Sequence, residues 1–166
     1  MNQQRVKKGE ERAGDPPNAL PRAGRWQAPL AAALLVLAGA AVYANSLSGV
    51  FIFDDQPSIV DNPTIRQIWP PWEALCPPRG GETVSGRPLL NVSLALNYAF
   101  GRLNVRGYHV ANLAIHLLNG LLLFGILRRT LRLPPLRPYF GSMASGLAWA
   151  VALLWIVHPL QTESVT

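Results

Sequence analysis

Cysteine is nearly absent from this chain, with Cys76 standing alone. A single thiol excludes an intrachain disulfide and a metal site built on cysteines, and it leaves the redox compartment unread. Charge is scarce too, at 14% of residues, where a soluble domain carries about 25%. Hydrophobic residues make up 49% of the chain and mean hydropathy is +0.17. That balance points to a membrane before any motif is read. No internal repeat is visible, and acidic residues are missing altogether from 128–137.

The net charge of +6 is unevenly spread. Residues 1–27 set Arg5, Lys7, Lys8, Arg12, Arg22 and Arg25 against Glu10, Glu11 and Asp15, while 128–137 hold Arg128, Arg129, Arg132 and Arg137. The 45–107 stretch balances its five arginines with five acids. All the excess therefore sits in two short segments, which the positive-inside rule assigns to the cytoplasm. A nucleic-acid site would instead mix basic and aromatic residues on one face, so nucleic acid is excluded as a partner.

Three apolar runs follow from this partition. The first, "APLAAALLVLAGAAVYA" (28–44), is at the short end of the roughly 17–25 residues a spanning helix needs. The others are 108–127, ending at Arg128, and 139–157. Trp26, Tyr43, Tyr108, Tyr139 and Trp155 stand at or near the run ends, where aromatic belts form. The expectation is an all-α, polytopic, integral membrane protein with its N-terminus cytoplasmic. Residues 1–27 form a disordered cytoplasmic tail, 45–107 an outer loop, 128–138 a cytoplasmic turn and 158–166 an outer segment. A rival reading takes the first run as a cleaved signal peptide, since "VYA" precedes Asn45. The chain stops just after a polar turn, so it is expected to be the N-terminal part of something larger.

The outer loop is too apolar to be a plain linker. "IRQIWPPW" (65–72) places Trp69 and Trp72 around two prolines, and suits a chain lying at the membrane interface. "RPLLNVSLALNYAF" (87–100) reads as an interface helix with Pro88 in its first turn. As a fourth, short membrane segment it would instead put Arg128–Arg137 outside, against the charge rule. "CPPRGGETVSG" (76–86) has no interpretable feature, and the Asn91-Val92-Ser93 sequon reads as chance.

In the second run His109, Asn112, His116 and Asn119 fall at spacings of three, four and three, on one helical stripe. Polar groups in a span face a bundle interior or a cavity, and interhelical packing is the plainer alternative. His109 and His116 are two turns apart, roughly 10 Å by helix rise, too far to share one ion. Gly141, Ser142, Ala144, Ser145, Gly146 and Ala148 make the third run a small-residue surface for close helix approach.

Asp54 and Asp55 lie just past the first run, and His158 and Glu163 just past the third, so both groups fall on the outer side. Carboxylates near a low-dielectric boundary can act as bases, and arginine grips phosphate in a bidentate fashion. Together with Arg87, Arg102 or Arg106 they suit transfer of a group from a phosphate-bearing lipid to a hydroxyl. The alternative is that Asp54 and Asp55 simply end a span with turn chemistry.

The order of "YANSLSGVFIFDDQPSIVDNPTI", "GRPLLNVSLALNYAFGRLNVRGYHVANLAIHLLNGLLLFGILRRTL" and "HPLQTESVT" resembles the N-terminal membrane region of the transmembrane and tetratricopeptide-repeat O-mannosyltransferase-like proteins. These belong to the C-type glycosyltransferase superfamily, and the resemblance covers about Tyr43 to Thr166. It implies a membrane glycosyltransferase that moves a sugar, with mannose expected, from a polyprenyl-phosphate donor to protein Ser/Thr hydroxyls with inversion. It also implies later spans and helical repeats that bind partners, which these 166 residues do not include. By the same resemblance Asp54 and Asp55 match the catalytic acidic pair, with Asp55 favoured as base. Arg87, His109, His116, His158 and Glu163 match its substrate-binding motifs. The lipid-linked sugar is a substrate, no cofactor is called for, and nothing in the residues compels a divalent metal. The implied location is a bacterial inner membrane, or the endoplasmic reticulum in a eukaryote. The runner-up function is a non-catalytic membrane anchor whose repeats recruit partners, and a transporter fragment ranks third.

Overall fold

The computed structural model describes residues 27–80 and 83–165. The tail at 1–26 lies outside them. Every regular element among the described residues is helical, as an all-α chain requires. The α-helices are α1 (Gln27–Val42), α2 (Pro71–Leu75), α3 (Pro88–Gly101), α4 (Val105–Thr130), α5 (Arg137–Phe140), α6 (Ala144–Ile156) and α7 (Thr162–Val165). Single turns at Ala44–Ser48, Gln56–Val60 and Pro63–Ile65 punctuate the loop between α1 and α2.

Helix ends follow local chemistry. Pro88 opens α3, where its missing N–H is not needed. The Asn104 side chain caps α4 by accepting from Arg106 N at 3.2 Å. Arg128 and Arg129 occupy the last turn of α4, where cations meet the negative end of the helix dipole. Among the described residues α4 is the one helix long and apolar enough to cross a membrane, with a hydropathy of 2.0 over its best window. The runs at 28–44 and 139–157 become the shorter apolar helices α1, of 16 residues, and α6, of 13. The second of these is shortened because Pro138 and the turn at Gly141–Met143 divide 137–143 from α6.

Helices α1, α4 and α6 pack around Leu35, Phe124, Ala148, Ala152 and Ile156. Close approach needs the glycines: a Cβ on Gly39 would overlap Leu117 and Ile156, and one on Gly120 would overlap Ile156. Ala144, Ala148 and Ala152 are fully buried along one line of α6, so part of the small-residue surface is used as expected, while Gly146 is exposed. Trp149 Nε1 donates to Ala31 O at 3.1 Å, joining the N-terminal halves of α6 and α1. Arg128 and Arg132 donate to Ser145 Oγ, joining the C-terminal end of α4 to the start of α6. Helix α4 therefore runs antiparallel to the other two.

The opposite end of this bundle is closed by an orphan carbonyl. The backbone N of Leu160, four residues past Ile156, bonds to His158 Nδ1 at 3.2 Å. Ile156 O is thus one of the C-terminal carbonyls a helix leaves unpaired. It accepts from Tyr43 Oη at 3.2 Å and from His116 Nε2 at 2.9 Å. A carbonyl only accepts, so His116 carries its proton on Nε2. The His116 ring also stacks on Trp155, with centroids 4.8 Å apart, and meets the edge of Tyr43 at 5.4 Å.

The 45–107 stretch folds as a unit beside that end. Ile59, Ile65, Ala74, Ala95 and Tyr108 form its core, with Phe51, Val92, Leu94 and Tyr98 against them. At its centre Asn91, fully buried, donates to Thr64 Oγ1 and Ala74 O at 2.8 Å each and accepts from Asn62 Nδ2 at 2.9 Å. The sequon nitrogen is thereby committed to the core. Arg66 and Arg102 stand over the Tyr98 ring at 4.6 and 5.6 Å. Arg102 and then Arg66 hold its phenol below the usual tyrosine range.

Candidate functional site

A cavity of about 410 Å³ opens between the loop unit and the start of α4, within the size range of small-ligand sites. Its apolar wall comes from Phe51, Ile59, Val84, Leu90, Leu94 and Tyr108, and its polar lining from Asp54, Asp55, Thr83, Arg87, His109 and Asn112. Each side chain reaches it for a local reason. Phe53, 89% exposed, takes φ 43°, a left-handed conformation uncommon for an aromatic residue. The turn it makes carries Asp54 and Asp55 to the lip. Asp55 Oδ2 accepts from Ile52 N at 3.1 Å, and Asp54 Oδ2 accepts from the Thr83 hydroxyl at 2.7 Å. Arg87 stands at the N-cap of α3. Tyr108 and His109 sit on the first turns of α4, and the Tyr108 ring meets Phe51 edge-on at 5.5 Å.

The cavity brings together Asp54, Asp55, Arg87 and His109 of the seven residues singled out in the sequence. His116 is placed elsewhere, in the packed cluster under Ile156 O. The exposed His158 caps its own turn through Leu160 N. Glu163 lies on α7, and its side chain falls outside the described residues. Of the polar stripe on α4, Asn112 lines the cavity and Asn119 is exposed. Arg102 and Arg106 do not line it. Thr83 and Val84 were not foreseen: they come from the Gly/Pro-rich 76–86 stretch, which has no periodicity to read. Val84 is fully buried, and that is what folds this stretch over the acidic pair.

His109 differs from its neighbours. It is 3% exposed, and neither ring nitrogen has a hydrogen-bond partner. Buried polar groups in folded proteins are nearly always paired, so an unpaired one calls for an explanation. Among the described residues no group of three or more His, Cys, Asp or Glu side chains is arranged to hold a metal ion.

The described residues are thus all-helical in their regular elements, with one membrane-length apolar helix among them and an amphipathic cavity whose lip carries two carboxylates and a guanidinium. Its sequence matches a set of animal proteins. It is 35% identical over 165 residues to mouse protein O-mannosyl-transferase TMTC1, covering 95% of this chain and 16% of that protein. It is 34% identical over 143 residues to human protein O-mannosyl-transferase TMTC1, covering 81% of this chain and 15% of the relative. Against the Caenorhabditis elegans protein O-mannosyl-transferase F38B6.6 it is 28% identical over 141 residues, with coverages of 80% and 19%. By sequence, most of this chain is similar to a part of these protein O-mannosyl-transferases. It spans 16% of the length of the mouse relative. No family model and no solved structure matches it.

Proposed function

We propose that this chain is the donor-side part of a membrane glycosyltransferase that moves a mannose from a polyprenyl phosphate to a protein Ser/Thr hydroxyl. The observation that carries the reading is the cavity joining Asp54, Asp55 and Arg87 to an apolar wall. Asp55, the less exposed of the pair, is the base in this reading. It takes the proton as the acceptor oxygen attacks the anomeric carbon from the face opposite the phosphate. The bond from that carbon to the phosphate oxygen breaks, its electron pair leaves with the phosphate, and the configuration inverts. Arg87 faces the charge that develops on the phosphate. Asp54, held by Thr83, keeps the second carboxylate at the lip.

The same reading sets α1, α4 and α6 as three spans. Their antiparallel packing puts the basic 128–137 segment at the bundle end where α1 begins, and the acidic pair at the other. The N-terminus is then cytoplasmic and the cavity lies on the outer, lumenal side. Since the matched relatives are animal proteins, the endoplasmic reticulum is the membrane in this reading.

The test is transfer by full-length protein carrying Asp54→Asn or Asp55→Asn, with membrane insertion and thermal unfolding as controls. Loss of a general base lowers the rate by about 100-fold or more, and that is expected at Asp55 with insertion intact. Full transfer by both variants would remove the pair from the mechanism. If function then depended only on the rest of the protein, the anchor reading would replace this one.

A further inference from the structure

The geometry points to His109 as the residue that reads the sugar of the donor, with Gly49 packed against its ring. This deepens the transferase reading and rests on it. His109 lines the cavity, is 97% buried, and has both ring nitrogens unpartnered. A neutral imidazole ring offers one N–H donor and one bare acceptor nitrogen.

A phosphate oxygen accepts only, so it would satisfy one of those nitrogens and leave the other bare. A hydroxyl both donates and accepts, and a hexose carries several on adjacent carbons. The two unsatisfied nitrogens therefore fit sugar hydroxyls better than the phosphate, which falls to Arg87 on α3. Asn112, one turn further along α4, lines the same cavity and adds an amide with both donors and an acceptor.

Gly49 sharpens the assignment. Its φ of −65° and ψ of 172° suit any residue, so backbone conformation does not call for glycine. Space does: a Cβ built there would stand 3.1 Å from His109 Nε2 and 3.1 Å from Ser46 O. Backbone gives less readily than a side chain, so a methyl group would displace the ring.

The experiment uses full-length protein in lipid nanodiscs and two probes, a short-chain polyprenyl-phosphate mannose and the same polyprenyl phosphate without sugar. Binding of each is measured for wild type, His109→Ala, His109→Gln, Gly49→Ala and Arg87→Ala, with thermal unfolding as a fold control. His109→Ala and Gly49→Ala are expected to weaken the sugar-bearing lipid by about tenfold, as loss of one to two hydrogen bonds implies. Both should leave the sugarless lipid unchanged. His109→Gln, which keeps a donor and an acceptor, should recover part of the loss, and Arg87→Ala should weaken both lipids. Equal weakening of both probes by His109→Ala would assign the ring to phosphate and overturn the inference. So would unchanged binding of both in His109→Ala while wild type binds, which leaves the transferase reading standing. If wild type binds neither lipid, the donor reading fails and this inference falls with it.

Discussion

Helix α4 buries two histidines seven residues apart, and the two regions they sit in treat the same side chain differently. In the bundle end, His116 donates a hydrogen bond to Ile156 O, stacks on Trp155 and meets Tyr43. In the cavity, His109 is buried as deeply and bonds to nothing. Satisfied burial contributes to stability, whereas unsatisfied burial costs it. The difference separates a packed region where the ring is paired from a cavity wall where it is not. It also separates two readings of a polar stripe that the sequence offered as alternatives for every member.

The comparison can be broken from the loop side first. Asn91→Ala strips the loop unit of three hydrogen bonds, two of them buried, and takes a partner from both Asn62 and Ala74 O. Unfolding of the protein should be easier by about 3 kcal/mol, with accelerated amide exchange confined to 45–107. Exchange spreading through α1 and α6 would show that loop and bundle are one cooperative region, and the contrast would lose its basis. In the bundle, Gly120→Val drives a side chain into Ile156. Overpacking of this kind costs about 2 kcal/mol, read as a lower melting temperature in detergent. An unchanged melting temperature would mean that α4 and α6 are not held as tightly as the glycine requires.

Much of the frame was legible in the sequence. The helix at Pro88 and the polar stripe follow from turn chemistry and helix period. The placing of apolar runs, by contrast, groups Asp54 and Asp55 with His158, Glu163 and one of Arg87, Arg102 or Arg106. Only the family resemblance singles out Arg87 and His109. What was not legible depends on tertiary detail. Both histidines share one stripe, and only the orphan carbonyl left where α6 stops at Ile156 divides them. Thr83 and Val84 come from a stretch with no periodicity, and Val84 declares itself only by full burial. The shortness of α6 traces to Pro138 and the turn that follows it, which interrupt an apolar run that composition alone reads as continuous. A Cβ on Gly49 would meet both Ser46 O and a ring that is distant in sequence.

The two histidines give the smallest effects and the sharpest comparison. His116→Leu keeps the volume and loses the bond to Ile156 O, although Tyr43 Oη still serves that carbonyl. The expected cost is about 1 kcal/mol. His109→Leu removes two unsatisfied nitrogens and keeps an apolar body in a cavity wall that Phe51, Tyr108 and Leu94 also line. Replacing an unpaired buried polar group by an apolar one of similar shape is nearly neutral or stabilising, so the melting temperature of His109→Leu should match or exceed that of wild type. Thermal unfolding of the two variants side by side, without added donor, reads the difference. If His109→Leu is the less stable of the pair, the ring has a protein partner in the folded state, and its burial is structural like that of His116.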